Sequence, residues 1–287
     1  MAASEQDSLE YLPLEKWPEL QAIFMDTWPR GISAYYALET QKEWKQIGID
    51  HDFKVYCPFG DMSNGMVAFN KKSTFNEIII QCPKDDTIQL EEALKRTKLI
   101  DWSTSIIVPF TPSHITHCIG NILGDVNMKI AGKERRHEIF ILDKRSPLYE
   151  NISLHEGITF KPLLKDHIHL VDSSWVNRYD SSAWYIDLLI TSKSGFGLFK
   201  GDQLACWLLV NEVGALTHLF TLPEHRKKGY AETLLKLVCN NRLKDNKDSF
   251  AYCMTGNVNA SNLYNKLGFV KFHTVIWRYL LPRTELN

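Results

Sequence analysis

The stretch Thr221-Leu-Pro-Glu-His-Arg226-Lys-Lys-Gly229-Tyr-Ala231 decides the reading of this chain. Leu219 and Phe220 before it, and Leu222 within it, mark the end of an apolar strand. After Gly229, Ala231, Leu234, Leu235, Val238 and Leu243 recur at helical spacing, with Glu232, Lys236, Asn240 and Arg242 between them. A strand therefore runs into a basic turn and then a helix, which aims several backbone N–H groups and a helix N-terminus at one small volume. Gly229 permits a positive φ and lets a ligand approach the backbone with no Cβ in the way. Lys227 and Lys228 add positive charge beside the positive end of the helix. The turn suits a pyrophosphate, although an ordinary loop before an ordinary helix has the same composition.

Downstream lies Asn257-Val-Asn-Ala260-Ser-Asn-Leu263-Tyr264-Asn-Lys-Leu-Gly268-Phe269, a short amphipathic helix closed by a Gly C-cap and re-entering a strand. The two segments, in this order, resemble motifs A and B of the GNAT superfamily of acyl-CoA-dependent N-acyltransferases. The resemblance implies acyl-CoA or acetyl-CoA as co-substrate. Its Arg/Gln-x-x-Gly-x-Gly/Ala loop falls on Arg226, Gly229 and Ala231, with main-chain hydrogens from Lys227 through Lys228 and Tyr230 to Ala231 gripping the pyrophosphate. It also implies that the pantetheine arm lies along Leu219, Phe220, Thr221 and Leu222, that Asn257 at the head of the second motif belongs with the cofactor contacts, and that Tyr264 protonates or hydrogen-bonds the departing thiolate.

Within that superfamily the chain looks like the glycine N-acyltransferase family, through His167-Ile-His169-Leu-Val171 with Trp175, Ala205-Cys-Trp207, and Leu222-Pro-Glu224 leading to Arg226 and Gly229. The first half is similar in Phe75-Asn-Glu-Ile-Ile-Ile-Gln-Cys-Pro83 and Leu99-Ile-Asp-Trp102. The activity implied is transfer of an acyl group to the amine of a small acceptor such as glycine or another amino acid, by direct attack in a ternary complex. A protein, peptide or arylalkylamine acceptor, or a non-catalytic CoA-binding protein, stands as the alternative.

The general base is open. The family's Glu on the strand before motif A falls at or near Ala215, so that carboxylate is missing. His218, three residues on, resembles the basic site of arylalkylamine acyltransferases; an imidazole of ordinary pKa near 6.5 can take a proton from an amine, and it can equally be a satisfied core or rim histidine. Glu212 sits at the turn before the strand, where it is expected to be solvated, and water can also carry the proton.

The 287 residues, 44% hydrophobic and 23% charged, are expected to form two compact units, 1–150 and 151–287. A formal net charge of −1 argues against nucleic acid as a partner. Six cysteines show no C-x-x-C pair and no zinc spacing with histidine, so buried thiols and no metal are expected. His114 and His117 lack a completing carboxylate or thiol, and His167 and His169 diverge on a helix. No apolar run reaches membrane-spanning length, and Glu5, Asp7 and Glu10 near the N-terminus replace any basic leader. A cytoplasmic location is expected, with mitochondrial as the alternative because glycine N-acyltransferases work there.

The spacing predicts helices over 17–25 and 33–47, strands over 53–57, 66–70, 77–82 and 137–142, and a polar linker over 147–157. From Ile158 it predicts a strand, helices over 166–178 and 182–192, a hairpin of 195–199 and 203–210, and a strand over 213–222. Gly195 and Gly197 shape that hairpin and do not make a dinucleotide fingerprint. The fold expected is α/β, a mixed central sheet with helices on both faces, as two GNAT-like halves of which only the second carries the loop. Trp175, Trp184 and Tyr185 fall on the acceptor-side helices, as pocket wall or as core.

Overall fold

In the computed structural model the described residues are 6–283, so Glu5 lies outside them. The elements in chain order are β1 (Leu9–Tyr11), α1 (Trp17–Met25), α2 (Ile32–Gln46), β2 (Lys54–Pro58), β3 (Met66–Lys72), β4 (Phe75–Gln81), α3 (Ile88–Arg96), β5 (Ile106–Thr111), α4 (Ser113–Ile122), β6 (Met128–Ile130) and β7 (Arg135–Leu142). They continue with β8 (Ile158–Pro162), α5 (Ile168–Ser173), α6 (Ser182–Thr191), β9 (Gly195–Lys200), β10 (Gln203–Val210), β11 (Leu216–Thr221), α7 (Tyr230–Lys244), β12 (Ser249–Met254), α8 (Val258–Lys266) and β13 (Val270–Pro282). The order strand, two helices, three strands, helix, strand, helix occurs twice, from β1 to α4 and from β8 to α8.

The chain separates into a first unit, up to His137 together with His273 onward, and a second unit, Glu138–Phe272. In the first, the strands follow the order β1-β2-β3-β4-β5-β13; β4 and β5 are parallel and the other pairs antiparallel. Its core gathers Ile78, Ile80, Leu90, Leu94, Ile106, Ile115 and Ile119. In the second, the order is β7-β12-β11-β10-β9-β8, with β11 parallel to β12 and antiparallel pairs from β8 through β11.

Within the second unit, alternation along β10 sorts its side chains between two faces. Cys206, Leu208 and Val210 pack with Leu234, Leu235 and Val238 of α7 and Tyr264 of α8. On the opposite face, Trp207 meets His218, and Trp175 beyond α5 stacks on both His218 and Tyr185 of α6. The mixed sheet with helices on both faces is as expected.

Three local readings are corrected. The units do not divide near residue 150. Residues 147–157 are fastened to the second unit, where Asn240 of α7 accepts from Tyr149 N (2.8 Å) and donates to its carbonyl (2.9 Å). The last strand, in turn, pairs with Ile106–Thr111 of the first unit. The helix expected over 166–178 ends at Ser173, because the Ser173 and Ser174 hydroxyls donate to the carbonyls of Leu170 and Val171 and compete with a further turn. The strand expected from Val213 begins at Leu216, because the Asn211 side chain accepts from Val213 N and Ala215 N and holds a turn there.

Candidate active site

The site is built on β11. Its antiparallel pairing with β10 runs Cys206↔Thr221 and Trp207↔Phe220, then resumes at Leu209↔Thr217. One residue of β10 thus faces two of β11, His218 and Leu219, which is a β-bulge. His218 takes φ +50, a conformation that bulky residues seldom adopt. On its other edge β11 pairs with β12 at Leu216↔Ala251 only, so the residues after Leu216 face an opening between two diverging parallel strands.

Beyond β11 the chain passes a 3-10 turn and a loop in which Lys227 (φ +59) and Gly229 (φ +78) are left-handed. Alternating hands of this kind turn successive N–H groups toward one concavity. No side chain caps the start of α7, and a Cβ built on Gly229 would meet nothing within 4 Å. The glycine is there for its φ and for the open space above it, not to avoid a neighbour.

A cavity of about 490 Å³ lies along this path. Leu219, Phe220, Thr221, Arg226, Lys227, Gly229, Tyr230 and Ala231 line it. Arg226 has a second role there, and the candidates Lys228, Leu222 and Asn257 have other places. Arg226 braces the loop, its Nε donating to the Thr221 carbonyl (3.1 Å) and its guanidinium lying 5.5 Å over the Phe220 ring. Lys228 Nζ donates to the Glu224 carbonyl (2.9 Å), and the Lys228 carbonyl accepts from His155 Nε2 (2.9 Å). Leu222 N donates to the Ala205 carbonyl (3.0 Å). Asn257 caps α8 by accepting from Ala260 N (3.2 Å), and it is Asn259 and Leu263 of that helix that face the cavity.

Tyr264 follows Leu263 on α8. Its ring stacks on Phe140 (5.3 Å between centroids) and lies 5.2 Å from Phe269. Burial pushes its phenol above the ordinary value, so it stays protonated at neutral pH. His218 is half-buried among Trp175, Trp207 and Phe220, and desolvation pulls its pKa down to about 4 against the opposing pull of Asp172. Glu212 is not solvated as expected: it is 3% exposed and accepts a hydrogen bond from the Tyr185 hydroxyl, because the Asn211 turn folds it inward. Tyr185 and Trp175 stack on each other (5.5 Å), while Trp184 is partly exposed.

Sequence reasoning missed His225, Asn259, Leu263 and Glu232 as cavity residues. Asn259 and Leu263 are four apart on one helix face, a spacing that could have shown them. Glu232 bonds Lys236 and Lys266, which hold its carboxyl below the usual range and tie α7 to α8. Nothing in the sequence singled out His225, which is buried and stacks on Tyr230 (6.0 Å). Among the described residues no three His, Cys, Asp or Glu side chains gather as metal ligands, and no helix is long and apolar enough to cross a membrane.

Comparison with solved structures identifies the architecture. A Drosophila protein is 18% identical and superposes with a TM-score of 0.83 over 97% of this chain and 100% of its own. A tandem GNAT protein from the clavulanic acid biosynthesis pathway is 12% identical, with a TM-score of 0.56 over 97% and 99% of the two chains. This is a tandem GNAT fold. A GCN5-related N-acetyltransferase from Sphaerobacter thermophilus, 11% identical, matches the same GNAT architecture with a TM-score of 0.55 over 94% of each chain. The family model described as FR47-like protein matches residues 195–278, from β9 into β13, and so spans the bulged strand, the loop before α7 and the whole of α8. No curated protein sequence matches the chain.

Proposed function

We propose that the second unit transfers an acyl group from acyl-CoA to the amine of a small acceptor such as glycine or another amino acid. The observation that carries this reading is one continuous cavity that joins the uncapped start of α7 to the bulged strand β11. A pyrophosphate fits the N–H groups between Lys227 and Ala231, and a pantetheine arm fits the opening beside Leu219, Phe220 and Thr221. The likeness to glycine N-acyltransferases quoted above supports a small amino acid as acceptor.

The chemistry needs no covalent enzyme intermediate. The neutral amine attacks the thioester carbon, the carbonyl electron pair moves onto oxygen, and its return expels the CoA thiolate. The proton lost by the amine passes to water, and the thiolate regains one from water. Holding both substrates in reach supplies a large share of the acceleration. Donors fixed around the developing oxyanion supply more. Tyr264, which lies in the core beside the cavity-lining Leu263 and whose phenol burial holds above the ordinary value, keeps its proton and is the group the resemblance assigns as hydrogen-bond donor to the leaving sulfur. Glu212, already accepting from Tyr185, is a poor base.

A second reading is a CoA-binding protein without turnover, favoured by Ala215, fully buried in the turn just before β11, where the resembled family carries its Glu. Free-thiol release measured over a panel of acyl-CoAs and amines separates the two. The transferase reading expects thiol release and an amide product by mass spectrometry with at least one pair. Calorimetric binding of CoA without product from any pair, small or peptidic, leaves the binding protein.

A further inference from the structure

We propose that His218 presents a neutral Nδ1–H as a hydrogen-bond donor to the carbonyl oxygen of the bound acyl group, and that it is not the base. The inference rests on the acyl-CoA reading for its ligand and on hydrogen-bond accounting for its chemistry. Trp207 is fully buried, and its indole N–H can only donate. That N–H points at His218 Nε2, 3.5 Å away. A hydrogen on Nε2 would leave the indole donor orphaned in the interior, at a cost of roughly 1–3 kcal/mol. Nε2 therefore carries the lone pair. Ser174 Oγ, 3.3 Å from Nε2 and 2.9 Å from the Val171 carbonyl, is satisfied either way, since its hydrogen can turn to one or the other.

A neutral imidazole with a bare Nε2 has its hydrogen on Nδ1. That atom is buried and has no partner among the described residues. The ring is held by Trp175 stacked at 6.1 Å, Trp207 edge-on at 6.0 Å and Phe220 at 6.3 Å, apolar walls that favour the neutral form. Its place on the bulge completes the case. Thr221, Phe220 and Leu219 line the cavity in succession from the α7 end, and His218 is the next residue along the strand. His218 does not itself line the cavity, so a thioester whose tail lies at Gly229 meets this donor only where its acyl end passes Leu219. A fixed neutral imidazole stabilises a developing oxyanion without reorganising.

The first test needs no substrate. Long-range proton–nitrogen correlation spectra of the 15N-labelled full chain read which ring nitrogen of His218 is protonated, with His218→Asn providing the assignment. Nδ1–H is expected, with a shift toward Nε2–H in Trp207→Phe, where the indole donor is gone. An Nε2–H tautomer in the unaltered protein overturns the proposal while leaving the acyl-CoA reading intact. The second test compares turnover. His218→Asn, whose amide nitrogen falls near Nδ1, is expected to keep kcat within about tenfold, whereas His218→Ala loses about 10²–10³-fold with little change in CoA affinity by calorimetry. Equal losses in Asn and Ala variants restore the base. Failure of the unaltered protein to bind any acyl-CoA instead removes the functional reading, and with it the proposed ligand of Nδ1.

Discussion

The two units carry the same succession of elements, yet the strand-to-helix corner is built in opposite ways. In the second unit β11 is bulged against β10, diverges from β12 and leads into a helix start that no side chain caps. In the first, β4 pairs with β3 in unbroken register from Met66↔Gln81 to Lys72↔Phe75. The gap beyond its parallel pairing with β5 is crossed by Gln81, whose side-chain amide donates to the Phe110 carbonyl (3.4 Å). The start of α3 is supplied with its own anions: Asp86 accepts from Ile88 N (3.0 Å), and Arg30 is taken up by Asp85 and the Pro83 carbonyl. A helix end already holding a carboxylate has no need of a phosphate. The two corners thus differ in three local features, while each unit keeps a buried core of its own.

The largest effect expected from breaking this contrast is Gly229→Glu. It places a carboxylate and a side chain in the space above φ +78, and CoA affinity should fall at least about 100-fold, near 2.7 kcal/mol. Calorimetry reads the loss, and a thermal melt checks that the fold survives the strain of a non-Gly residue there. Binding at the original strength would mean that the ligand does not lie on this loop. Next comes Tyr264→Phe, which keeps the stacking on Phe140 but removes the hydroxyl. A kcat lower by roughly 10²-fold with unchanged CoA affinity is expected for a positioned donor. Equal losses in both quantities would make Tyr264 a packing residue.

What was legible in the sequence was local. Lys227, Gly229 and the helix after them act through their own backbone, so spacing and residue type were enough to mark the loop, the mixed sheet and its two halves. Glu212 could not be read, because its burial depends on the Asn211 turn and on Tyr185 of α6. Nor could the unit boundary. Residues 147–157 look like a linker by composition, and only the hydrogen bonds of Tyr149 with Asn240 place them in the second unit. The polar run Pro83-Lys-Asp-Asp-Thr87 matters for a similar reason, since Asp86 acts at α3 only once the chain has turned.

That run offers the converse experiment. Asp86→Ala removes the acceptor for Ile88 N, which it reaches from the residue before the N-cap Thr87, and should cost about 1 kcal/mol of stability, as loss of one hydrogen bond does, read from the urea midpoint. CoA stoichiometry should stay at one per chain, because the unbroken β3–β4 register and the Gln81 bridge remain. A second equivalent bound by this variant would show that the Asp86 carboxylate alone separates the two halves.

The smallest expected effect is a change of slope with pH, and it belongs to the bulge of β11 that carries His218. Desolvation lowers His218 from 6.5 to about 4 in the folded protein, against an attraction from Asp172. Between those values the unfolded chain binds a proton that the folded chain refuses, so folding stability is complete above about pH 6.5 and declines as the pH falls toward 4. One proton sets an upper limit near 1.4 kcal/mol per pH unit. His114, His137 and His273 are also lowered by burial, and their contribution is common to both proteins in a comparison with His218→Asn. Urea midpoints should therefore fall more steeply between about pH 7 and 5 in the unaltered protein than in the variant. Parallel slopes would mean that the imidazole on the bulge is hydrated in the folded state, and a hydrated ring would have no reason to keep its hydrogen on Nδ1 for a ligand.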